Sequence, residues 1–254
     1  MLIGFVGDVH VDRDDPAEAF SKVRDVLRVP KAMFGNLEGS YADNPTLLTT
    51  FGPVCAPAHN LDAYAQAGFN VMSLANNHIA DAGYESMLKT RSRLRAQGIQ
   101  TCGAGASWAD ARAPAILEAD GITIAFLAYA CIFPLGYEAG AAAPGLSAVR
   151  AQTVWRDPWP TYHAPGMRPF ITTIPDQSDL AYLTGDIRRA RERADIVITS
   201  FHWGDQTRRF HLTDHETRTA RHCIDQGAHM VVGHHHHSLR GMEWYKGACP
   251  LCMG

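Results

Sequence analysis

The sequence has no hydrophobic run approaching the roughly 20 consecutive apolar residues that a membrane-spanning helix needs. Its N-terminus, MLIGFVGDVH, lacks the basic segment and the small-residue cleavage site of a signal peptide. The sequence also has little excess of one charge over the other, since the formal net charge is only -3 over 254 residues. A chain without excess positive charge is not expected to bind nucleic acid through a basic surface. These absences predict a cytoplasmic protein without a membrane segment and without a nucleic-acid partner.

Cysteine is present but is not arranged as a structural metal site. The six cysteines are scattered, and the close pair in CPLC, at 249–252, has no second pair to complete a zinc ribbon. Reduced thiols are therefore expected. Histidine is unusually concentrated instead, since nine of the thirteen lie between His202 and His237. Four of them, at 234–237, are consecutive and follow a strand-like run inside the chain, so they are not interpreted as a purification tag.

Strand-like apolar runs alternate with amphipathic helical patterns along nearly the whole chain, which is typical of a layered α/β domain. We predict one domain over residues 1–254. Its first helix is predicted to begin after Asp15, with Pro16 at the first helical position and apolar residues at helical spacing up to Leu27. The dipeptide Asp120-Gly121, between two β-rich runs, predicts a hairpin turn, and GMEWYKG is expected to begin a second hairpin.

The second half of the chain contains an irregular segment between regular patterns. Apolar residues at helical spacing predict helices over about 83–97 and from Ser178 to about Arg193. Thr213 and Glu216 have the spacing of a capping box, which predicts the start of another helix. Residues 132–177 are rich in proline, glycine and alanine and show no clear period. This segment is interpreted either as a substrate-covering loop or as a surface insert.

Five strand-like runs end in side chains that can bind a metal ion. These residues are Asp8 and His10 after the first run, Asn36 and Glu38 after the second, Asn77 and His78 after the third, His202 after the fourth, and the histidine run after the fifth. The carboxyl ends of strands in an open α/β sheet converge on one crevice, where ligands bind. Taken singly, each residue has a plainer explanation as a turn residue, a helix cap or a satisfied polar side chain. Five equivalent positions together favour one metal-binding site.

The types of ligand indicate which metals would bind. Imidazole, carboxylate and amide oxygen without thiolate suit Mn, Fe, Zn or Co rather than a structural cysteine–zinc site. The set exceeds what a single ion needs, whereas two ions roughly 3.5–4 Å apart, bridged by a carboxylate, would use about this number of ligands. We therefore predict two divalent metal ions.

His78 and Asp81, in NNHIAD, predict a catalytic role beside the metals. A carboxylate three residues after a histidine can orient its imidazole, which would make His78 a general acid that works near neutral pH. Asp81 fits equally well as the N-cap of the helix that follows. The two roles are compatible.

The motifs together resemble the bacterial capsule-synthesis protein CapA family, which is associated with poly-γ-glutamate synthesis and lies within the calcineurin-like metallophosphatase superfamily. The matching segments are GDVH, NLEG, ANNHIADAG, DIVITSFHWG and GAHMVVGHHHHSLRGMEWYKG, in the family's order and over nearly the whole chain. The resemblance implies a four-layer α/β/β/α sandwich. It also implies that Asp8, His10 and one late histidine hold the first metal ion. Asn77, His202 and another late histidine would hold the second, with His78 as the acid.

Two positions depart from the motifs of that family. The bridging aspartate of the phosphatase motif is Asn36 here, so the bridging role either passes to Glu38 or is weakened. The motif HWGxE reads HWGDQ, with Gln206 in place of glutamate, and Asp205 either replaces it or the position binds no metal. These departures bear on whether the site turns over a phosphoester.

The histidine run leaves two registers open. The family spelling Gly-His-His-Pro-His selects His235 and His237 as ligands, whereas the phosphatase spelling Gly-His-x-His selects His234 and His236. In an extended strand, residues two apart point the same way, so either register brings two histidines to the metals and turns two away. We favour His235 and His237 because the sequence matches the family register through the glycine that follows, Gly241.

Three functions are compatible with these motifs. We favour a metal-dependent hydrolase or transferase related to poly-γ-glutamate or capsule synthesis. The alternatives are a dinuclear-metal phosphoesterase acting on a small phosphoester and a non-catalytic assembly factor of a polymer synthase. The expected substrate is an anionic small molecule or polymer, which Arg208, Arg209 and Arg240 would meet unless they are solvated surface charges. Relatives usually continue with a closing strand, so truncation at Gly254 is also expected.

Overall fold

The computed structural model describes residues 1–49, 52–163, 165–246 and 249–252, the last four through their backbone alone. The helices α1 to α6 span Arg24–Leu27, Asp62–Ala67, Tyr84–Ala96, Trp108–Ala111, Gln177–Arg191 and Asp214–Asp225. The strands β1 to β8 span Ile3–Val9, Ala32–Leu37, Ser40–Tyr41, Cys55–Ala56, Val71–Ser73, Gln100–Cys102, Ala104–Gly105 and Ala115–Ala119. The strands β9 to β16 span Ile122–Ala130, Gly145–Leu146, Ala151–Arg156, Phe170–Pro175, Ile196–His202, Met230–His234, Met242–Tyr245 and Cys249–Cys252. Within the described ranges, no helix has the length and apolar character needed to cross a membrane.

The N-terminal half forms a parallel four-stranded sheet in the order β1-β2-β5-β6. Its register sets Asp8 beside Asn36, and Asn36 beside Ser73. The pairing of β1 with β2 is interrupted between Phe5 and Asp8. Irregularities of this kind change the direction in which the following side chains point. The polar ends of the first two strands therefore lie next to each other, as the motifs predict.

The C-terminal half forms a six-stranded sheet in the order β15-β16-β14-β13-β9-β8. Both predicted hairpins are confirmed, because β8 pairs antiparallel with β9 and β15 pairs antiparallel with β16. The first turn places Asp120 at φ 52° and Gly121 at φ 75°, which is the left-handed geometry of a tight hairpin. The parallel strands β13 and β14 set His202 directly beside His234.

The alternation of side chains along the strands decides which residues meet between the two sheets. Phe126 of β9 stacks on Phe34 of β2, with ring centroids 5.3 Å apart, so this face of the six-stranded sheet packs on the four-stranded one. Leu127, the next residue of β9, and Phe201 of β13 belong to a second apolar cluster with α5 and α6, on the opposite face of the six-stranded sheet. Because successive residues of a strand face opposite sides, His202 points away from Phe201 and toward the first sheet.

The predicted helices in the middle and the second half of the chain are confirmed. Helix α3 spans Tyr84–Ala96. Helix α5 is capped by Asp176, whose side chain accepts from the backbone N–H groups of Ser178 and Asp179. Helix α6 begins with the predicted capping box of Thr213 and Glu216. Local capping chemistry therefore sets these two helix starts.

The long helix predicted after Asp15 is wrong. Asp15 does cap a turn, since its side chain accepts from the Ala17 N–H at 2.9 Å, but only a 3₁₀ turn and the four-residue α1 follow. Val23 and Val26 are 48% and 72% exposed, and the one buried residue of α1 is Leu27. A short helix gains most of its stability from packing an apolar face, and this segment packs too little of one.

Residues 132–177 are more regular than predicted. They contain β10 and an antiparallel pair formed by β11 and β12. This hairpin is attached to the start of α6, because the His215 N–H donates to Thr173 Oγ1 at 2.9 Å and the Thr173 N–H donates to Asp214 Oδ2 at 3.1 Å. Trp155 and Tyr162 lie outward, at 63% and 71% exposure, whereas Tyr137 is buried at 4%.

Candidate metal centre

A cavity of about 570 Å³ opens at the carboxyl ends of β1, β2 and β14. Its lining residues come from the ends of these strands and the segments that follow them, and they are Gly7, Asp8, His10, Glu38 and residues 233–239. Parallel pairing within each sheet and packing between the sheets bring these ends together. The predicted convergence of the strand-end motifs is therefore a feature of the structure.

The first set of metal-competent atoms surrounds His202 Nε2. Asn77 Oδ1 lies 2.7 Å from it, His235 Nδ1 lies 3.1 Å from it and Glu38 Oε1 lies 3.6 Å from it. One ring nitrogen cannot donate a proton to three acceptors, so lone pairs converge here. Ligands bound tetrahedrally at about 2.1 Å are roughly 3.4 Å from one another, which is close to these separations.

The second set shares Glu38 with the first. Glu38 Oε2 lies 3.1 Å from His237 Nε2, and Asp8 Oδ2 lies 3.7 Å from the same nitrogen. Glu38 thus offers one oxygen to each set, and it is buried at 8% exposure. The side chain of His237 is 57% exposed, so the second set is open to solvent.

Asp8 is held in place from both sides. Asn36 Nδ2 donates to Asp8 Oδ1 at 2.6 Å, and the His235 N–H donates to Asp8 Oδ2 at 2.8 Å. Burial raises the pKa of Asp8, but hydrogen bonding and charge interactions with His202, with further contributions from His234 and Asn36, outweigh it and hold the pKa well below its ordinary value. The carboxylate is therefore ionised, as a cation ligand must be.

Asn36 is completely buried, and its amide contacts the side chains of Asp8, His202 and Asn76. Its amide nitrogen donates to Asp8, and its oxygen accepts from Asn76 Nδ2 at 3.3 Å. Asn36 is not among the converging atoms of either set. The structure brings Glu38, not Asn36, between the two sets.

His78 and Asp81 form the predicted pair, with 2.7 Å between His78 Nδ1 and Asp81 Oδ2. Asp81 is fully buried and also accepts from the Val54 N–H at 2.9 Å and from the Tyr137 hydroxyl at 3.0 Å. Burial lowers the pKa of His78, but the hydrogen bond and the charge of Asp81 outweigh it, and the pKa is raised. The N-cap reading of Asp81 is wrong, because α3 begins after Gly83 and has no side-chain cap.

His10 and His234 line the cavity but lie outside both sets. His10 Nδ1 is 3.3 Å from the Tyr41 hydroxyl, and burial lowers the pKa of His10. His234 packs against the ring of Phe34, and burial lowers its pKa to about 4, so the imidazole is neutral. Its Nδ1 lies 3.9 Å from Asp8 Oδ1, and neither ring nitrogen has a hydrogen-bond partner in the described part of the chain. A neutral, buried imidazole without a partner fits a cation ligand.

The extended histidine run expected from the sequence does not form. Strand β14 ends at His234, and His235 and His237 have φ values of 91° and 52°. Such values are uncommon for residues other than glycine. A turn, rather than strand alternation, therefore brings His235 and His237 into the two sets. His236 points elsewhere, with Nε2 2.9 Å from Glu216 Oε1.

Asp205 and Arg240, which the sequence suggested as a metal ligand and a substrate contact, are hydrogen-bonded to each other. Asp205 does not replace the missing glutamate at the site, because its carboxylate accepts from Thr207 and from Arg208 Nε within its own loop. Arg240 donates to the Asp205 carbonyl at 3.2 Å. Sequence reasoning identified Glu216 only as a capping residue. Its contact with the histidine run had no signal in the sequence, because 20 residues separate the two positions.

The family described as bacterial capsule synthesis protein PGA_cap matches residues 2–249. An uncharacterized protein, y4sH, of Sinorhizobium fredii (strain NBRC 101917 / NGR234) is 31% identical over 294 residues, covering 95% of this chain and 62% of that protein. The PGA biosynthesis protein CapA of Bacillus subtilis (strain 168) is 26% identical over 254 residues, covering 96% of this chain and 59% of that protein. The chain thus spans about three fifths of the length of these curated relatives.

A solved structure described as a "Putative 5'-Nucleotidase" from Staphylococcus aureus, in complex with alpha-ketoglutarate, has a similar fold. The TM-score is 0.52 at 12% sequence identity, over 98% of this chain and 47% of that one. This likeness concerns the mixed α/β fold alone. The family match, in contrast, covers the strand-end motifs and nearly every other described residue. The chain belongs to the bacterial capsule synthesis protein PGA_cap family.

Proposed function

We propose that this chain is a metal-dependent hydrolase or transferase related to poly-γ-glutamate or capsule synthesis, with two divalent metal ions in its site. The observation that carries the proposal is the position of Glu38, which offers one carboxylate oxygen to each of two sets of ligand atoms. The first set is Asn77, His202 and His235, and the second is Asp8 and His237. His10 and His234 are the further candidate ligands at the cavity wall.

The donor atoms fit borderline divalent ions such as Mn, Fe, Zn or Co. They are imidazole nitrogens and carboxylate or amide oxygens, and the atoms of each three-residue group lie within 4.8 Å of one another. The ring of His235 is available as a ligand, because burial lowers its pKa to about 3 and keeps it neutral. When bound, the ions would polarise the scissile carbonyl or phosphoryl group and activate water.

The residues of the chain would contribute binding and proton transfer. His78 follows Asn77 directly, and the carboxylate of Asp81 keeps its imidazole oriented and favours its protonated form. We assign His78 as the general acid that protonates the leaving group and Asp81 as its orienting partner. The substrate is proposed to be an anionic small molecule or polymer, in line with the name of the Bacillus relative.

We also propose that residues 1–254 form one domain, a four-layer α/β/β/α sandwich of the metallophosphatase type. Two observations support this arrangement. The stacked rings of Phe34 and Phe126 join the inner faces of the two sheets. The apolar cluster of α5 and α6 covers the outer face of the six-stranded sheet. The site then lies where both sheets contribute strand ends.

Metal analysis combined with two activity assays tests the function. We expect about two equivalents of metal in the wild-type protein and a large loss in His202→Ala, with His163→Ala, an exposed histidine outside the cavity, as the matched control. Shortening of poly-γ-glutamate chains on a gel, abolished by His202→Ala, is the expected activity. Rapid hydrolysis of a chromogenic phosphodiester without polymer shortening would favour a small-substrate phosphoesterase. Absence of metal, with His202→Ala still complementing a deletion strain, would favour a non-catalytic assembly factor.

A further inference from the structure

Glu216 lies on α6, outside the candidate metal centre, and its carboxylate contacts Thr213 through one oxygen and His236 through the other. Oε2 accepts from the Thr213 N–H and from Thr213 Oγ1, both at 2.6 Å. Oε1 lies 2.9 Å from His236 Nε2, a close polar contact without hydrogen-bond geometry, and the side chains of Glu216 and His236 are both 0% exposed. The start of α6 is thus joined to the middle of the histidine run.

Gly204 leaves the space in which this pair fits. A Cβ atom at this position would lie 2.1 Å from His236 Nε2 and 2.8 Å from Glu216 Oε1. Its φ of +86° is also a conformation that glycine adopts most readily. Because Gly204 comes two residues after His202, the pair contacts the loop that leaves the first ligand set.

The contact bears on the neighbours of His236. His235 and His237 both have left-handed backbone conformations, which persist only where the surroundings hold them. One anchor is the His235 N–H, which donates to Asp8 Oδ2 at 2.8 Å. The other is the side chain of His236, whose Nε2 lies 2.9 Å from Glu216 Oε1. Between these anchors, the His235 ring faces His202 and the His237 ring faces Glu38.

We propose that Glu216 is a positioning residue of the metal centre, which through His236 holds His235 and His237 against their partners. The inference rests on the proposed metal function. A buried carboxylate–imidazole contact is weak evidence for a role in stability, because well-packed apolar side chains of similar volume often stabilise a fold as much or more. Outer residues that orient metal ligands typically change metal affinity by about 10–100-fold when they are replaced.

Glu216→Gln tests the proposal with two measurements. In the metal-free protein, hydrogen exchange of the His235 amide, followed by NMR, should become at least about tenfold faster, because the hydrogen bond to Asp8 opens more often. In titrations with Mn²⁺ or Zn²⁺, the affinity should fall by about 10–100-fold. Asp176→Ala is the control, because the Asp176 side chain bonds the backbone of Ser178 and Asp179 at the start of α5 and not the histidine run. It should lower the unfolding temperature and leave both measurements at their wild-type values after correction for global stability.

A Glu216→Gln protein that is less stable but keeps wild-type exchange at His235 and wild-type metal affinity would overturn the proposal, because the pair would then be structural only. If Glu216→Gln does not fold, His236→Asn replaces it, since it removes the imidazole that Glu216 contacts and leaves Glu216 and its bonds to Thr213 in place. A wild-type protein that binds neither ion would refute the proposed metal function. Exchange at His235 would still decide whether Glu216 positions the run.

Discussion

Replacing Glu38 by glutamine tests the shared carboxylate at the centre of the site. Glutamine has nearly the same size, but it presents one oxygen and one NH₂ group, and the NH₂ group donates hydrogen bonds and does not bind a cation. In the wild type, one oxygen of Glu38 lies 3.6 Å from His202 Nε2 and the other lies 3.1 Å from His237 Nε2. One of the two ligand sets must therefore lose its oxygen in Glu38→Gln.

The two sets differ in what they keep. The first set retains Asn77, His202 and His235, whereas the second retains only Asp8 and His237 among the converging atoms. We therefore expect the second ion to be lost, and the bound metal to fall from about two equivalents to about one. The remaining ion also loses a negative charge beside it, which we expect to cost about 10–100-fold in affinity, or roughly 1.4–2.8 kcal/mol.

Elemental analysis after exhaustive dialysis gives the stoichiometry, and calorimetric titration of the metal-free protein gives the affinity. Glu243→Gln is the control, since Glu243 lies on β15 and pairs with Arg221 at 2.8 Å, away from the ligand sets. It should bind metal like the wild type. Two equivalents bound by Glu38→Gln with wild-type affinity would refute the assignment of Glu38 as the shared ligand.

Three other substitutions probe the proton donor, the packing of the sheets and a buried ion pair. Asp81→Asn removes the carboxylate charge that raises the pKa of His78, so activity that needs protonated His78 should decline at a lower pH than in the wild type. An unmoved alkaline limb of the pH–rate profile would contradict this role. Phe34→Ala should lower the free energy of unfolding by about 3–5 kcal/mol in urea denaturation, since the ring is fully buried between the sheets, and a loss under about 1 kcal/mol would argue against that packing. In the wild type, the buried guanidinium of Arg112 lies 2.6 Å from the Asp186 carboxylate. Asp186→Ala removes this carboxylate and leaves the Arg112 charge buried, which should lower the free energy of unfolding by about 3–5 kcal/mol in thermal or chemical unfolding. A change within about 0.5 kcal/mol, as at an ordinary surface position, would show that this pair is not needed.

Local signals predicted those elements whose conformation depends on few neighbours. The Asp120-Gly121 turn forms because both residues tolerate the left-handed conformation that a tight hairpin needs. The start of α6 forms because the side chains of Thr213 and Glu216 satisfy its first N–H groups. In both cases the residues that determine the structure are close together in the sequence.

The predictions of secondary structure were wrong in segments whose conformation depends on contacts with residues far away in the sequence. The pattern after Asp15 has helical spacing, but Val26 remains 72% exposed, so packing supports only a single helical turn. The segment 132–177 has no clear period, yet β12 finds hydrogen-bond partners at the start of α6. Neither result follows from the local sequence, because helix and strand formation depend on packing that other parts of the chain supply.

The sequence by itself determined which chemistry is available. Strand-like runs that end in Asp8, Glu38, Asn77 and His202 indicated a metal site, because polar groups that follow parallel strands share one edge of a sheet. Only the tertiary structure decided which of these side chains belong to the first ligand set and which to the second. The packing of the two sheets set Glu38 between two groups of ligand atoms. Residues 235–237 lie in a turn whose side chains point to different partners, and the choice of partner depends on residues far away in the sequence, which pattern and periodicity do not contain.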